Sequence, residues 1–180
     1  MSSDPIHLIF IRANQWMHAI EMQSNRITGP FANPTKDGMV KYRLDWNQKQ
    51  RDLDFFLIAL NRFRKGIASG NKQIKSREIE EALISFDQNV PDVKALRDIG
   101  EHFDDYDLGR GKLKKHLTNE SQSVGWGPED GNINYRGKKI TIKQSREAAR
   151  KLHQIVMHVL EANGKEIILD EWPLVKYKKF

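Results

Sequence analysis

The chain of 180 residues contains no cysteine. Disulfide bonds and thiolate metal sites are therefore excluded, and a reducing compartment fits this composition. The residues from Met1 to Pro5 lack the basic segment that opens a secretory signal. The apolar run from Ile6 to Ile11 is far too short to cross a bilayer. We therefore expect a cytoplasmic protein with no membrane partner.

The sequence also lacks the motifs of several common enzyme classes. It has no HExxH, no GxSxG and no metal-ligand spacing of Cys and His. Gly109-Arg110-Gly111-Lys112 is too short for a phosphate-binding loop, and no strand precedes it. His102 and the acidic residues over 101–107 are compatible with a hard-cation site, but no further ligand spacing accompanies them. A solvated acidic face is the favoured interpretation, and we predict no metal and no cofactor.

Positive charge is in excess, with 30 Lys+Arg against 24 Asp+Glu and a net charge of +6. This balance favours a polyanionic partner, because phosphate neutralisation releases counterions, although solubility alone explains the same charge. The basic residues are concentrated in a predicted loop over 110–116 and in a strip on the last helix. We predict that nucleic acid binds at Arg110, Lys112, Lys143, Arg146 and Arg150. A solvated helix surface explains the strip equally well.

The spacing of apolar residues predicts a mainly α fold, a four- to five-helix up-and-down bundle. The first helix begins at Asp4-Pro5, with Asp as the cap and Pro in the first turn. It ends at Gly29-Pro30. A surface connection over 31–45 leads to a second helix over about 46–68. The stretch Ser69-Gly70-Asn71-Lys72 is expected to break the chain.

Three further helices are predicted in the second half of the chain. Ile79 and Phe86 mark the inner side of a short third helix. The fourth helix runs over 90–108, with an apolar stripe along its length. The last helix lies near 143–163 and precedes a basic tail over about 165–180.

A small β-hairpin is predicted over about 132–142, inserted before the last helix, because polar and apolar residues alternate there. With Gly137-Lys138 at the turn, Tyr135 is expected opposite Ile140. No internal repeat and no second apolar core is present in the sequence. We therefore expect residues 1–180 to form one helical domain.

The segment Arg97-Asp98-Ile99-Gly100-Glu101-His102 is the one stretch of the sequence with a chemical signature. An imidazole titrates near neutrality and can exchange protons, and the guanidinium fork can hold a phosphate. A helical Arg, a polar residue and then a His after four intervening positions resembles the R-x4-6-H motif of the HEPN superfamily. This superfamily of helical bundles includes RNA-cleaving toxins and CRISPR-associated nucleases. The resemblance is sharp over roughly fifteen residues and architectural over the rest.

The resemblance implies a metal-independent endoribonuclease of toxin or defence type that acts at a dimer cleft. His102 would exchange protons with the ribose 2′-OH or the leaving oxygen, and Arg97 would hold the scissile phosphate. Asp98 would orient the site and Glu101 would tune His102. The implied partners are RNA, a second copy of the chain, and a cognate antitoxin or regulatory protein.

The alternative function is a non-catalytic HEPN-like helical dimer module that binds a protein partner or nucleic acid. Arg97 and Glu101 are four residues apart, the spacing of an ordinary surface ion pair on a helix. An ideal helix separates Arg97 and His102 by about 140°. They converge only if the Arg swings round, if Gly100 lets the helix deform, or if a second chain supplies the partner. Asp104 stands where one toxin subfamily carries Tyr, so regulation by modification there is not expected.

Overall fold

The computed structural model describes residues 5–29, 38–101, 125–126, 131–135 and 138–163. Within these ranges the helices are α1 (Pro5–Thr28), α2 (Gly38–Ile74), α3 (Arg77–Asn89), α4 (Val93–Glu101) and α5 (Ile142–Ala162). The strands are β1 (Gly125–Trp126), β2 (Asn132–Tyr135) and β3 (Lys138–Thr141). The predicted helical bundle with a small β insertion before the last helix is confirmed.

The α1 and α2 helices form a close antiparallel pair. A Cβ atom at Gly70 would lie 2.7 Å from Cζ of Phe10, whereas one at Gly66 would lie 3.8 Å from Cβ of Ala13. The absence of a side chain at Gly70 therefore lets the Phe10 ring approach α2. The predicted break at residues 69–72 is wrong, because this glycine serves helix packing.

The α2 helix ends at Ile74, and the next residue, Lys75, has a positive φ of 58°. The Asn71 side chain then holds Ser76, accepting from its backbone N–H at 2.9 Å and donating to its carbonyl at 3.0 Å. The Ser76 hydroxyl in turn accepts from the N–H of Ile79 at 3.3 Å and caps α3. The break between α2 and α3 is thus stabilised by capping hydrogen bonds from the side chains of Asn71 and Ser76.

The start of α2 also differs from the prediction. The surface connection predicted over 31–45 is wrong from Gly38 onward, where the chain is helical. Glycine is a common residue at helix N-termini, so a turn signal at this position also fits a helix start. Val40 and Leu44 are four residues apart, which is the spacing of apolar residues one helical turn from each other.

The short helices α3 and α4 pack on α2. The Arg64 guanidinium on α2 makes two hydrogen bonds to the Asp87 carboxylate on α3, at 3.0 and 2.6 Å. Phe86 is buried as predicted, and so is Leu96 on α4. The part of the predicted fourth helix that follows Glu101 lies outside the described residues.

The three strands form an antiparallel sheet in the order β1-β2-β3, and β1 was not predicted from the sequence. Tyr135 pairs with Lys138, and Ile133 pairs with Ile140. The predicted pairing of Tyr135 with Ile140 is therefore wrong by two residues, because only two residues connect the strands. A shift of two residues preserves the faces of a strand, so Ile140 still points into the core.

The core is one cluster shared by the helices and β3. Its largest fully buried side chains include Met17, Phe56, Phe63, Phe86, Leu57 and Leu60. Two polar residues of α2 are also enclosed, with Asp52 2% and Asn61 3% exposed. The Asp52 carboxylate accepts a hydrogen bond from Gln48 at 3.2 Å and lies 3.5 Å from the Arg26 guanidinium.

Candidate functional site

Arg97 lies on α4 beside the core residue Leu96. Its side chain is 15% exposed, and its guanidinium forms an ion pair with the carboxylate of Asp98, which is 34% exposed. The structure therefore brings together two of the four residues that the motif predicts for the catalytic site. The pair lies at the edge of the core.

The contact between Arg97 and Asp98 has a geometric consequence. Consecutive residues on a helix do not face each other, so the long Arg side chain must fold back toward its neighbour. Holding the guanidinium in this way limits its rotamers before a ligand binds. Because a guanidinium has five N–H donors, it can contact a carboxylate and a phosphate together.

His102 lies outside the described residues, and the structure describes only the backbone of Glu101. The predicted approach of Arg97 to His102 and the alternative Arg97–Glu101 pair both stay predictions. Arg110, Lys112 and the acidic residues that follow His102 also lie outside the described residues. Their predicted roles are unchanged.

A groove of about 380 Å³ lies between the α3–α4 connection and β3. Its lining combines the apolar Leu57 and Leu96 with the polar Asp92, Lys139 and Gln144. Arg97 does not line this groove. A phosphate held by Arg97 would therefore be bound outside it.

The three predicted nucleic-acid-binding residues of α5 have different environments. Lys143 is exposed. Arg146 donates to the side chains of Asn25 at 3.1 Å and Ser24 at 3.4 Å. Arg150 makes a two-pronged contact with the buried Glu21 carboxylate, at 2.5 and 2.8 Å. Both arginines thus attach α5 to α1, and their predicted role in binding nucleic acid stays a prediction.

His153 is a core residue of α5. Its Nε2 lies 3.0 Å from Oδ1 of Asn14, and its ring centre lies 6.4 Å from that of Phe63. Burial lowers the pKa of His153 to about 4, so the ring is neutral near pH 7. His153 is therefore a structural residue that links α5 to α1.

The sequence analysis missed a basic surface on α1 and α2. Over residues 7–29 and 47–75, every exposed charged side chain is basic: Arg12, Arg26, Arg51, Arg62, Lys65, Lys72 and Lys75. The acidic residues in these ranges are Glu21 and Asp52, both buried, and the half-buried Asp54. Because these carboxylates are buried or half-buried, they contribute little negative charge to the exposed surface. The signal that could have found the surface is the regular spacing of basic residues along α2.

Comparisons of the chain with family models, curated proteins and solved structures give no match. Among the helices of the described residues, none has the length and apolar character needed to span a bilayer. The described ranges contain no group of three or more metal-ligating side chains. The features that bear on function are therefore the helical bundle, the Arg97–Asp98 pair and the distribution of charge.

Proposed function

We propose that this protein is a metal-independent endoribonuclease of the HEPN type, acting as a cytoplasmic homodimer in a toxin or defence system. The observation that carries the proposal is the Arg97–Asp98 ion pair on α4, in a helical bundle with a β insertion before its last helix. A cognate antitoxin or regulatory protein is the expected protein partner.

In the proposed reaction His102 takes a proton from the ribose 2′-OH, and the oxygen attacks the adjacent phosphorus. The bond to the 5′ oxygen breaks, and this leaving oxygen takes up a proton. The products are a 2′,3′-cyclic phosphate and a free 5′-OH. Arg97, oriented by Asp98, offsets the charge that builds on the phosphate oxygens.

The first prediction concerns catalysis. Cleavage of RNA should proceed in EDTA and leave a 2′,3′-cyclic phosphate, while DNA, which has no 2′-OH, should survive. His102→Ala should lower the rate by roughly 10²–10⁴, because it removes the general acid/base. Arg97→Ala should also be impaired, and Arg97→Lys should not restore full activity, because an ammonium lacks the planar fork. Cleavage assays with end-group analysis of the products test these outcomes.

His158→Ala is the matched control for His102→Ala, because His158 is an exposed histidine on α5. It should cleave at the wild-type rate. Strict metal dependence, or full activity of His102→Ala, would refute the proposed ribonuclease.

The second prediction concerns assembly. A dimer through α4 and its neighbours should bury on the order of 1,200 Å² or more, because each cleft is expected to combine Arg97 with a His102. Light scattering should show a dimer at micromolar protein. Mixing Arg97→Ala with His102→Ala should restore part of the activity if each cleft draws on both chains. A monomer under these conditions would contradict both the dimer and the proposed cleft.

The alternative, a non-catalytic dimer module, is favoured by one observation, the 15% exposure of the Arg97 side chain. An Arg that is mostly enclosed and paired with a neighbouring carboxylate can serve stability alone. In that case Arg97→Ala lowers the melting temperature, and neither the wild type nor any variant cleaves RNA.

A further inference from the structure

One side of α2 carries a regular row of residues, which we call the basic stripe. Its members recur at alternating spacings of four and three, which keeps them on one side of a helix. They are Arg51, Phe55, Ile58, Arg62, Lys65, Ser69 and Lys72. All are exposed except Ile58, which is half-buried. At 1.5 Å per residue the row is about 31 Å long.

The cations of the basic stripe are not paired with carboxylates in the part of the chain that the structure describes. Among the described residues, no ion pair involves Arg51, Arg62, Lys65 or Lys72. Arg51 donates to the neutral Gln48 side chain, at 3.1 Å.

Other arginines of the bundle are paired. Arg64 contacts Asp87, Arg77 contacts Glu81, and Arg150 contacts Glu21. The exposed carboxylates of α3 and α5 are Glu78, Glu80, Glu81, Glu147 and Glu161. Within the described residues, α3 and α5 carry exposed acidic as well as basic side chains, whereas the exposed charged side chains of α2 over residues 47–74 are all basic.

Like charges along a helix repel each other, and a polyanion along the basic stripe would relieve that repulsion. If a second copy placed its stripe against this one, the two rows of cations would repel each other, so self-association through this face is disfavoured. An apolar helix would find only Phe55 and Ile58 to pack on. Phe55 is 57% exposed and offers an aromatic face of the kind that stacks on bases.

We infer that the basic stripe of α2 binds the backbone of single-stranded RNA, with a base stacked on Phe55. The choice of RNA as the polymer rests on the proposed function. The α4 helix, which carries Arg97, packs on α2, so the stripe and the motif are on neighbouring helices. The stripe thus holds the substrate, and Arg97 acts on a single phosphate.

The test measures binding of wild-type protein to a labelled single-stranded RNA of about 16 nucleotides. Its riboses are 2′-O-methylated, so the strand cannot be cleaved and the result does not depend on His102. Fluorescence anisotropy over a salt series should give a slope of about −3 in log K against log salt, for four phosphate contacts. An intact slope with no cleavage activity would leave this inference standing while the proposed function fails.

The variant pair Arg62→Gln with Lys65→Gln should weaken binding roughly 25-fold at about 0.1 M salt and reduce the slope by about 1.4. Lys139→Gln with Lys151→Gln is the matched control, because both residues are exposed and lie outside α2. It removes the same charge and should bind within about twofold of wild type. Phe55→Ala should weaken binding about fivefold or more without changing the slope.

Equal loss in the two charge variants, or no loss in the Arg62/Lys65 pair, would overturn the inference. Anionic phosphatidylserine vesicles provide the second arm. If the Arg62/Lys65 pair loses vesicle binding and keeps RNA binding, the stripe recognises a lipid surface and the inference is wrong. Circular dichroism of each variant should match wild type, since all the substituted side chains are exposed.

Discussion

His153 shows how one buried side chain makes the stability of a protein depend on pH. Its ring lies against Phe63 and is hydrogen-bonded to Asn14. Burial lowers the pKa from the ordinary 6.5 to about 4, so the folded protein binds this proton less readily than the unfolded chain does. The contribution of His153 is therefore fully present above pH 6.5 and is lost as the pH falls through about 4.

The resulting prediction compares two histidine variants. Between about pH 6.5 and pH 4 the His153 titration should remove roughly 3 kcal/mol from the free energy of unfolding. His153→Gln, which can still bond to Asn14, should lack this part of the pH dependence, whereas the exposed His158→Gln should retain it. Urea denaturation at several pH values measures the difference. Parallel pH profiles for wild type and His153→Gln would contradict the assigned burial.

Two glycines of α2 face α1, and the sequence alone does not show which of them could be replaced by a larger residue. Gly66→Ala should stabilise the protein by about 0.5–1 kcal/mol, because its Cβ meets only Ala13 at 3.8 Å and alanine favours the helix. Gly70→Ala should destabilise it by about 1–3 kcal/mol, because its Cβ would overlap the buried Phe10 ring. Thermal melts of the two variants should shift in opposite directions. Equal shifts would show that Phe10 moves away freely.

Helices were predictable here where a buried stripe repeats along many turns. The second helix and the last helix were both predicted, because the period of a buried stripe requires only local sequence. The end of α2 was missed, since Gly70 has the same appearance in a packing contact as in a break. The β-hairpin was predicted, but its register was wrong, because Lys138 was assigned to the turn and is the first residue of β3.

Buried polar residues were the least predictable elements of the fold. Glu21 and Asn14 on α1 look like solvent-facing residues in the sequence, and both are buried. Their partners, Arg150 and His153, are 129 and 139 residues away. No local pattern indicates such pairing, so the basic strip on α5 was interpreted as a binding surface without knowledge of these contacts.

Part of the candidate site is predictable from the sequence of one helix, and part depends on the tertiary structure. The motif placed Arg97 and Asp98 on one helix, and the structure shows them in contact. The basic stripe of α2 was not predicted, because the sequence alone does not show which charged residues around it are buried. The surface around the stripe is basic because Glu21 and Asp52 are buried, so their negative charge does not compensate the exposed cations.

The attachment of α5 to α1 has a consequence for synthesis of the chain. Glu21 emerges from the ribosome 129 residues before Arg150, a delay on the order of ten seconds at ordinary translation rates. Until then the carboxylate needs water, and the apolar side chains around it cannot be fully enclosed. The packing of the nascent helices α1 and α2 therefore stays incomplete until the last helix has been synthesised.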